Sequence, residues 1–330
     1  QILQRLFMKF KIVFLLCILS TFLFSNDKLR VGVLAFGTVN WELQVMQMNS
    51  IASKYGIELD IKKLPSKHAV AVAFNAGSVD MIVTDFVWVS RQRNKGLDYT
   101  FYPYSKATGG IYMRPDLKID NITDLDGKSL GIAGGAVSKT WLIARAYSKN
   151  KYNKDLTKSI EPVFAAPPII NKKMIDKSLD TSINFWHFNA KLQAKGMKKL
   201  ISIEEMLLNL GIKHDVPLIG WTFREEFAQK NTNLINNFLQ SSSEAKKLLS
   251  TDDNQWLKIK KLMKVKDNTT FEALKKGYIA GIPKSFNENE IESAKKLFQI
   301  LQKEGGKQLV GKNKVLEEGT FWNFEPNIKW

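Results

Sequence analysis

The sequence predicts an α/β protein in which two lobes each contain a mainly parallel sheet. The chain has 330 residues, of which 44% are hydrophobic, and a single core usually stops growing at about 250–300 residues, so two lobes are expected. Short apolar segments alternate with helical patterns from Leu29 to about Pro217, which is typical of βαβ units. Residues 76–96 also match residues 176–196 at four positions without a gap. This internal match favours two lobes of similar topology, although generic βαβ similarity would also produce it.

The first lobe begins with alternating strands and helices. Residues 29–36 form a Val-rich apolar run, as expected for a buried parallel strand. Trp41, Val45 and Met48 then recur at helical spacing, and Gly56 ends that helix. The next predicted elements are a strand at 57–61, a helix at 67–76 and a strand at 81–83.

A second alternating set begins near Gly110, and a helical region follows it. Residues 129–132 predict a strand and residues 138–149 a helix, and strand–helix pairs continue to about residue 217. Beyond Trp221 the pattern is almost purely helical. We expect these helices to cap the first lobe, at residues 224–230, 232–250, 254–264, 268–280 and 287–304.

The beginning of the chain has the pattern of an export signal. Lys9 and Lys11 precede an apolar run at 12–24, and Ser25 opens a polar exit. The run is shorter than the roughly 20 residues that span a membrane. We therefore expect residues 1–25 to comprise an upstream extension before Met8 and a signal peptide, with the remaining chain exported to the periplasm.

Cys17 is the only cysteine in the sequence and lies inside this apolar run. A lipoprotein signal would place a small residue before the cysteine, so Leu16 argues against a lipid anchor. After cleavage the chain would carry no thiol. This excludes disulfides, zinc–thiolate sites, iron–sulfur clusters and cysteine nucleophiles from the exported part.

The strong positive charge indicates a solvated surface rather than a nucleic-acid site. The formal net charge is +17, but 42 of the 49 basic residues are Lys, which lacks the planar fork that Arg uses to read phosphates and bases. The sequence has neither a long basic run nor a nucleic-acid-binding motif. We expect no nucleic-acid partner.

Ligands of open α/β sheets bind at the loops that follow the carboxyl ends of strands, where helix N-termini offer free N–H groups and partial positive charge. Four such loops are predicted, at residues 37–41, 84–88, 134–140 and 184–187. The candidate ligand-binding residues on them are Thr38, Asn40, Trp41, Asp85, Trp88, Gly135, Ser138, Thr140, Phe185, Trp186 and His187.

The loop at 134–140 is suited to a small anionic group. Gly134 and Gly135 allow the backbone to approach a ligand, Ser138 can cap the helix, and Lys139 and Thr140 add donors. The loop is not a Walker A motif. A helix cap without any ligand would show the same residues.

The other candidate residues each have a structural alternative. Asp85 could hold a cationic or amide part of a ligand, or it could cap the helix that begins at Phe86. The rings of Trp41, Trp88, Phe185 and Trp186 could enclose a ligand or pack in the core. His187 could contact a ligand or be a partly buried hydrogen-bonding residue.

Catalytic and metal-binding motifs are missing from the sequence. The three histidines are far apart and form no H-x-x-x-H pair. No G-x-S-x-G elbow, kinase motif set or G-x-G-x-x-G occurs, and no carboxylate pair stands out on the predicted loops. We therefore expect a binding protein rather than an enzyme, with no cofactor and no metal.

Several segments resemble periplasmic substrate-binding proteins of ABC transporters, of the nitrate/sulfonate/taurine type, which is similar to the thiamine-precursor-binding proteins. The resemblance covers most of residues 29–322 and is carried by LRVGVLAFGTVNWEL, AFNAGSVDMIVTDFVWVSRQRNKG, DLDGKSLGIAGGAVSKTWLIARA and NFWHFNAKLQAKG. It implies the type II periplasmic binding protein fold, with two lobes joined by crossing strands near 104–109 and 216–220. Lobe one would comprise 28–106 plus 219–330, and lobe two would comprise 107–218.

The resemblance also implies a function. The chain would be a monomer that captures a sulfonate-like or other small organic anion in the cleft and delivers it to a membrane permease. Because no Arg lies on the predicted loops, a thiamine-precursor pyrimidine or another heterocycle is the alternative ligand. Enzymes on the same fold and exported sensor proteins are rival functions, and the export signal argues against the cytoplasmic enzymes.

Overall fold

The computed structural model describes residues 26–312 and 314–322. The predicted signal segment with Cys17 lies outside the described residues. Within them the chain forms ten strands, in two sheets of five, and fourteen α-helices. None of the helices in these ranges combines the length and apolarity needed to cross a bilayer.

The strands and helices alternate through the first two thirds of the chain. The strands are β1 (Asp27–Leu34), β2 (Ile57–Leu64), β3 (Met81–Asp85), β4 (Tyr99–Ser105), β5 (Gly110–Met113), β6 (Ser129–Ala133), β7 (Glu161–Ala165), β8 (Thr181–Ile183), β9 (Lys198–Ser202) and β10 (Ile219–Arg224). The helices are α1 (Val39–Met48), α2 (Ile51–Lys54), α3 (Lys67–Asn75), α4 (Phe86–Arg93), α5 (Lys139–Tyr152), α6 (Leu156–Ser159), α7 (Pro167–Ile175), α8 (Trp186–Ala194), α9 (Ile203–Asn209), α10 (Glu225–Lys230), α11 (Thr232–Thr251), α12 (Asp253–Met263), α13 (Asn268–Ala280) and α14 (Glu288–Val310).

The two sheets have the same topology. The strand order is β2-β1-β3-β10-β4 in the first sheet and β7-β6-β8-β5-β9 in the second. β1 pairs in parallel with β2 and β3, and β6 pairs in parallel with β7 and β8. In each sheet one strand, β10 or β5, is antiparallel to both of its neighbours. The predicted two-lobed α/β fold is therefore confirmed, and we call the parts built on these sheets lobe one and lobe two.

The matching residues of the two lobes have matching roles. Asp80 precedes β3 and accepts hydrogen bonds from the backbone N–H and the Nε of Arg30, at 3.0 and 2.9 Å. Asp180 precedes β8 and accepts from the backbone N–H and the Oγ of Ser129, both at 3.0 Å. Each carboxylate thus ties the start of the middle strand of a sheet, β3 or β8, to the neighbouring parallel strand, β1 or β6.

Two short connections join the lobes. Residues 106–109 link β4 to β5, and residues 210–218 link α9 to β10. Lys106 and Asp215 form an ion pair of 2.6 Å between these connections. The crossings lie at or close to the predicted positions; the exact lobe limits, 28–106 plus 219–330 and 107–218, stay a prediction.

The C-terminal helices pack on lobe one and also reach lobe two. α11 and α12 pack against α1, whereas α13 contacts α8 of lobe two and α14 contacts both α4 and α5. The predicted helix at 287–304 continues to Val310, with non-helical backbone at Gly306. One hydrophobic cluster includes Phe298 and Leu301 of α14 together with buried residues of both lobes.

Candidate functional site

An ion pair between two of the predicted loops joins the two lobes. Asp85 follows β3 in lobe one, and Lys139 is the first residue of α5 in lobe two. The Asp85 Oδ2 atom lies 3.0 Å from the Lys139 Nζ atom, and each side chain is 22% exposed. The loops after β3 and after β6 therefore face each other, as the strand-end rule predicts.

Asp85 also caps helix α4. Its Oδ1 atom accepts a hydrogen bond of 2.8 Å from the backbone N–H of Trp88. Burial alone would raise the pKa of Asp85, but the Lys139 charge, the Trp88 N–H and the Lys67 charge together lower it below its usual value. The carboxylate is thus charged. Of the two interpretations of Asp85, the helix cap is confirmed, and the ligand contact stays a prediction.

Lys67 adds a second ammonium group to this region, and sequence reasoning missed it. It is the first residue of α3, and its Nζ atom lies 5.1 Å from the centre of the Phe185 ring of lobe two. Desolvation and the Lys139 charge lower the pKa of Lys67, against the opposing effect of Asp85. The loop after β2 is also a strand-end loop, so the same rule applied to β2 would have found this residue.

The loop between β6 and α5 brings three predicted residues together. Gly135 has a φ of +79°, in the region that favours glycine, and its carbonyl accepts a 3.0 Å hydrogen bond from the N–H of Ser138. Ser138 occupies the N-cap position without a side-chain hydrogen bond to the helix, contrary to the expected cap. Its Oγ atom instead lies 3.1 Å from the Oγ1 atom of Thr140.

Asn40 fixes the loop after β1. Its Nδ2 atom donates to the carbonyls of Leu34 and Gly37, both at 2.8 Å. The residue is 5% exposed, and its buried Oδ1 atom has no partner among the described residues. Thr38, at the N-cap of α1, makes no side-chain capping hydrogen bond.

Trp41 and Trp186 form an aromatic contact between the lobes. Their rings meet edge to face with centroids 6.2 Å apart, and Trp41 also lies 6.1 Å from Trp256 and 6.0 Å from Tyr278. A Cβ atom on Gly277 of α13 would lie 2.9 Å from the Trp186 ring. The two indole rings therefore pack between α1, α8 and α13.

Trp88 packs against an aromatic residue of its own lobe. Its ring stacks on Tyr99 in lobe one, with centroids 5.7 Å apart and an interplanar angle of 17°. A ligand contact by the ring of Trp41, Trp88, Phe185 or Trp186 stays a prediction.

His187 is held in a neutral state. Its ring lies 4.6 Å from the ring of Phe188 and 5.5 Å from that of Trp186, and its buried Nδ1 atom has no partner among the described residues. Burial, followed by the charge of Lys191, lowers the pKa of His187 to about 4. A neutral imidazole at this position could accept or donate a hydrogen bond without adding charge.

The low pKa of His187 predicts a loss of stability in acid. The unfolded chain, with a His pKa of about 6.5, binds more protons than the folded chain between pH 6.5 and 4, so stability falls as the pH falls through this range. We expect His187→Gln to reduce the acid-dependent loss by about 1–2 kcal/mol relative to the unmodified protein. Urea unfolding at pH 7 and pH 4.5 measures this; equal pH dependence in the two proteins would contradict it, and His214→Gln, at an exposed position, is the control.

A separate cavity of about 700 Å³ runs along the two lobe connections. Its lining includes Lys106, Trp186, Gln193, Asp215 and Lys276, and Trp186 is its only residue from the predicted set. The cavity therefore lies on the side of the Trp41–Trp186 contact that faces the two lobe connections. Within residues 26–312 and 314–322 no cluster of His, Cys, Asp and Glu is suited to a metal ion.

Family comparison agrees with this architecture. The model of the NMT1/THI5-like family matches residues 53–253, more than half of the chain. The chain belongs to the NMT1/THI5-like family. A search of curated proteins gives no match.

Several solved structures share this fold at low sequence identity to the chain. The periplasmic aliphatic sulphonate-binding protein SsuA of Escherichia coli is 17% identical, with a TM-score of 0.72, over 90% of this chain and 92% of that chain. The alkanesulfonate-binding protein SsuA of Xanthomonas axonopodis pv. citri, bound to MOPS, is 15% identical with a TM-score of 0.65, over 90% and 98%. The desulfurization enzyme DSZB is 12% identical with a TM-score of 0.61, over 89% and 97%. These likenesses show the periplasmic binding protein fold.

Proposed function

We propose that this NMT1/THI5-like protein is the extracytoplasmic solute-binding component of an ABC importer and captures a small organic anion between its lobes. The observation that carries the proposal is the charge set of Lys67, Asp85 and Lys139. Two ammonium groups face one carboxylate, at the N-termini of α3, α4 and α5. Helix N-termini add further partial positive charge, so the region favours an anion.

The anion would bind where both lobes contribute donors. The Lys67 and Lys139 ammonium groups would face its charged oxygens, while the hydroxyls of Ser138 and Thr140 and the backbone at Gly135 would supply neutral contacts. Because residues of both lobes would contact the anion, binding favours the closed arrangement. The protein would then release the ligand unchanged to a membrane permease.

The structural relatives support this choice. Two of the relatives above are described as sulfonate-binding proteins, and a further relative from Staphylococcus aureus as the ligand-binding component of an ABC-type import system. An extracytoplasmic location, with a signal peptide before residue 26, belongs to the same proposal.

An enzyme on this fold is the second candidate, because DSZB shares the fold over 89% of this chain. A heterocycle such as a thiamine-precursor pyrimidine is the alternative ligand, since Phe185 beside Lys67 could stack on a flat ring. Turnover of a bound compound by the isolated protein would support the enzyme, and unchanged release would support the solute-binding role.

A ligand screen tests the proposed function. We expect an alkanesulfonate or a small carboxylate, rather than an amine or a pyrimidine, to stabilise the protein by about 2.7 kcal/mol at a concentration 100-fold above its Kd, because ligand that binds only the folded state shifts the unfolding equilibrium. Thermal unfolding with and without each compound measures this. Each anion is paired with the corresponding neutral alcohol, and stabilisation by the alcohol but not by the anion would contradict anion binding.

A further inference from the structure

The first part of helix α14 is attached to lobe two. Glu304 pairs with Arg145 of α5 at 3.2 Å between the Oε2 and Nη2 atoms, and the Lys296 Nζ atom donates to the Gly211 carbonyl at 2.8 Å. The Glu304 side chain is only 8% exposed. Residues 288–304 are thus fixed to α5 and to the end of α9.

The chain after this part is attached to lobe one. Arg91 of α4 donates to the Leu309 carbonyl at 3.4 Å, and the Glu317 N–H donates to the Ser90 Oγ atom at 2.9 Å. Phe321 packs on Phe86 and Phe101, with centroids 5.8 and 5.7 Å apart. We call residues 288–312 together with 314–322 the C-terminal strap.

Two glycines join the parts of the strap. Gly306 has φ +55° and ψ −154°, outside the helical region and in a region populated almost only by glycine. Gly305 is restricted by packing, since a Cβ atom there would lie 2.7 Å from Leu142 of lobe two and 3.0 Å from Leu309. The joint therefore needs glycine at both positions, for different reasons.

The helices that the strap holds also carry the ion pair of the candidate site. α4 begins directly after Asp85, and α5 begins at Lys139. The strap contacts both helices, so a change in its bend would change the distance between α4 and α5. This distance in turn sets the separation of the Asp85 and Lys139 side chains.

We propose that the C-terminal strap is a third connection between the lobes and that Gly305–Gly306 is its hinge, which controls closure of the cleft. Hinges absorb large changes of φ and ψ at a few residues between rigid parts. The role in ligand capture rests on the proposed function, but the role in lobe closure does not.

The test compares Gly306→Ala with a matched glycine variant. Gly196→Ala is the control, because Gly196 also has a positive φ, +88°, has open space around it and lies after α8 of lobe two, outside the strap. Both changes are made in the full chain with Cys17→Ser, Lys63→Cys and Lys172→Cys. Spin labels at positions 63 and 172, both exposed and on different lobes, report the distance between the lobes without added ligand.

Alanine disfavours the bend at Gly306, so the present arrangement, in which Asp85 pairs with Lys139, should lose population. We expect the ratio of long to short label distances to rise about tenfold in Gly306→Ala and to stay within about twofold in Gly196→Ala. Equal distance distributions in the two variants would overturn the hinge.

A second variant covers the case in which Gly306→Ala does not fold. Glu304→Gln removes the charge pair with Arg145 without changing the backbone, and a rise of about threefold in the same ratio is expected. An unchanged ratio in Glu304→Gln, when Gly306→Ala does not fold, would overturn the proposal. These distances are measured without ligand, so a failed hinge is distinguishable from a failed ligand screen.

Discussion

Replacing Lys139 by glutamine is expected to weaken anion binding about 100-fold while the protein stays folded. The ammonium group of Lys139 is mostly buried and pairs with Asp85 between the lobes. Its loss removes one attraction for the anion and leaves the Asp85 carboxylate without a counter-charge in lobe two. Truncation of one partner of a buried charge pair costs about 2–5 kcal/mol in binding, and 1.4 kcal/mol corresponds to a factor of ten.

Isothermal titration of the anion that gives the largest thermal shift measures this effect. Lys149→Gln is the matched control, since Lys149 is an exposed lysine in the last turn of the same helix. We expect Lys149→Gln to change the Kd by less than about twofold. A normal Kd for Lys139→Gln would remove the charge set from the binding site, and equal losses in both variants would indicate a nonspecific effect of net charge.

The strand-end rule located this ion pair only in part. It placed Asp85 and Lys139 on loops that face the cleft, because the carboxyl ends of parallel strands in each lobe point to one edge. No sequence pattern encodes the angle between the lobes, so the pairing itself could not be predicted. Lys67 was missed because the loop after β2 was considered only as the start of a helix.

The aromatic residues show a second limit of sequence reasoning. Trp41 and Trp88 both follow a strand of lobe one, so the sequence predicts the same role for both. In the structure Trp41 meets Trp186 of the other lobe, whereas Trp88 stacks on Tyr99 within lobe one. The difference depends on the rotation of each short helix about its axis, which tertiary packing sets.

Helix periodicity located the C-terminal helices but not their partners. The helix at 268–280 was predicted at its observed limits, whereas the helix predicted at 287–304 continues to Val310. An apolar stripe shows that a helix face is buried, but it does not show which surface covers that face. The contacts of α13 and α14 with lobe two were therefore not predictable.

Removing the ammonium group of Lys246 is expected to destabilise the protein by about 3–5 kcal/mol. Glu42 of α1 is fully buried, and its Oε2 atom lies 2.7 Å from the Lys246 Nζ atom of α11. Lys246→Met leaves this carboxylate buried without its counter-charge, the case in which breaking a buried ion pair costs most.

The surroundings of this pair explain why it cannot simply become solvated. The Glu42 oxygens also accept hydrogen bonds from Ser242 at 2.5 Å and Tyr278 at 2.8 Å, and the Lys246 Nζ atom lies 4.3 Å from the centre of the Tyr104 ring. Burial lowers the pKa of Lys246, although Glu42 opposes this effect, and burial raises the pKa of Tyr278. The network thus connects α1, α11 and α13 with β4, next to the lobe connection.

Urea unfolding without ligand measures the cost, with Lys247→Met, at an exposed position of the same helix, as the control. The double variant Glu42→Gln with Lys246→Met should recover part of the loss, because it removes the uncompensated charge. Tyr104 lies on β4 and Tyr278 on α13. If the double variant remains less stable than the unmodified protein, we expect the contact between Trp41 and Trp186 to be weakened. If the free energies of unfolding of Lys246→Met and Lys247→Met differ by less than about 0.5 kcal/mol, the ion pair does not stabilise lobe one. In that case the hydroxyls of Ser242 and Tyr278 alone would satisfy the hydrogen-bonding needs of the Glu42 carboxylate.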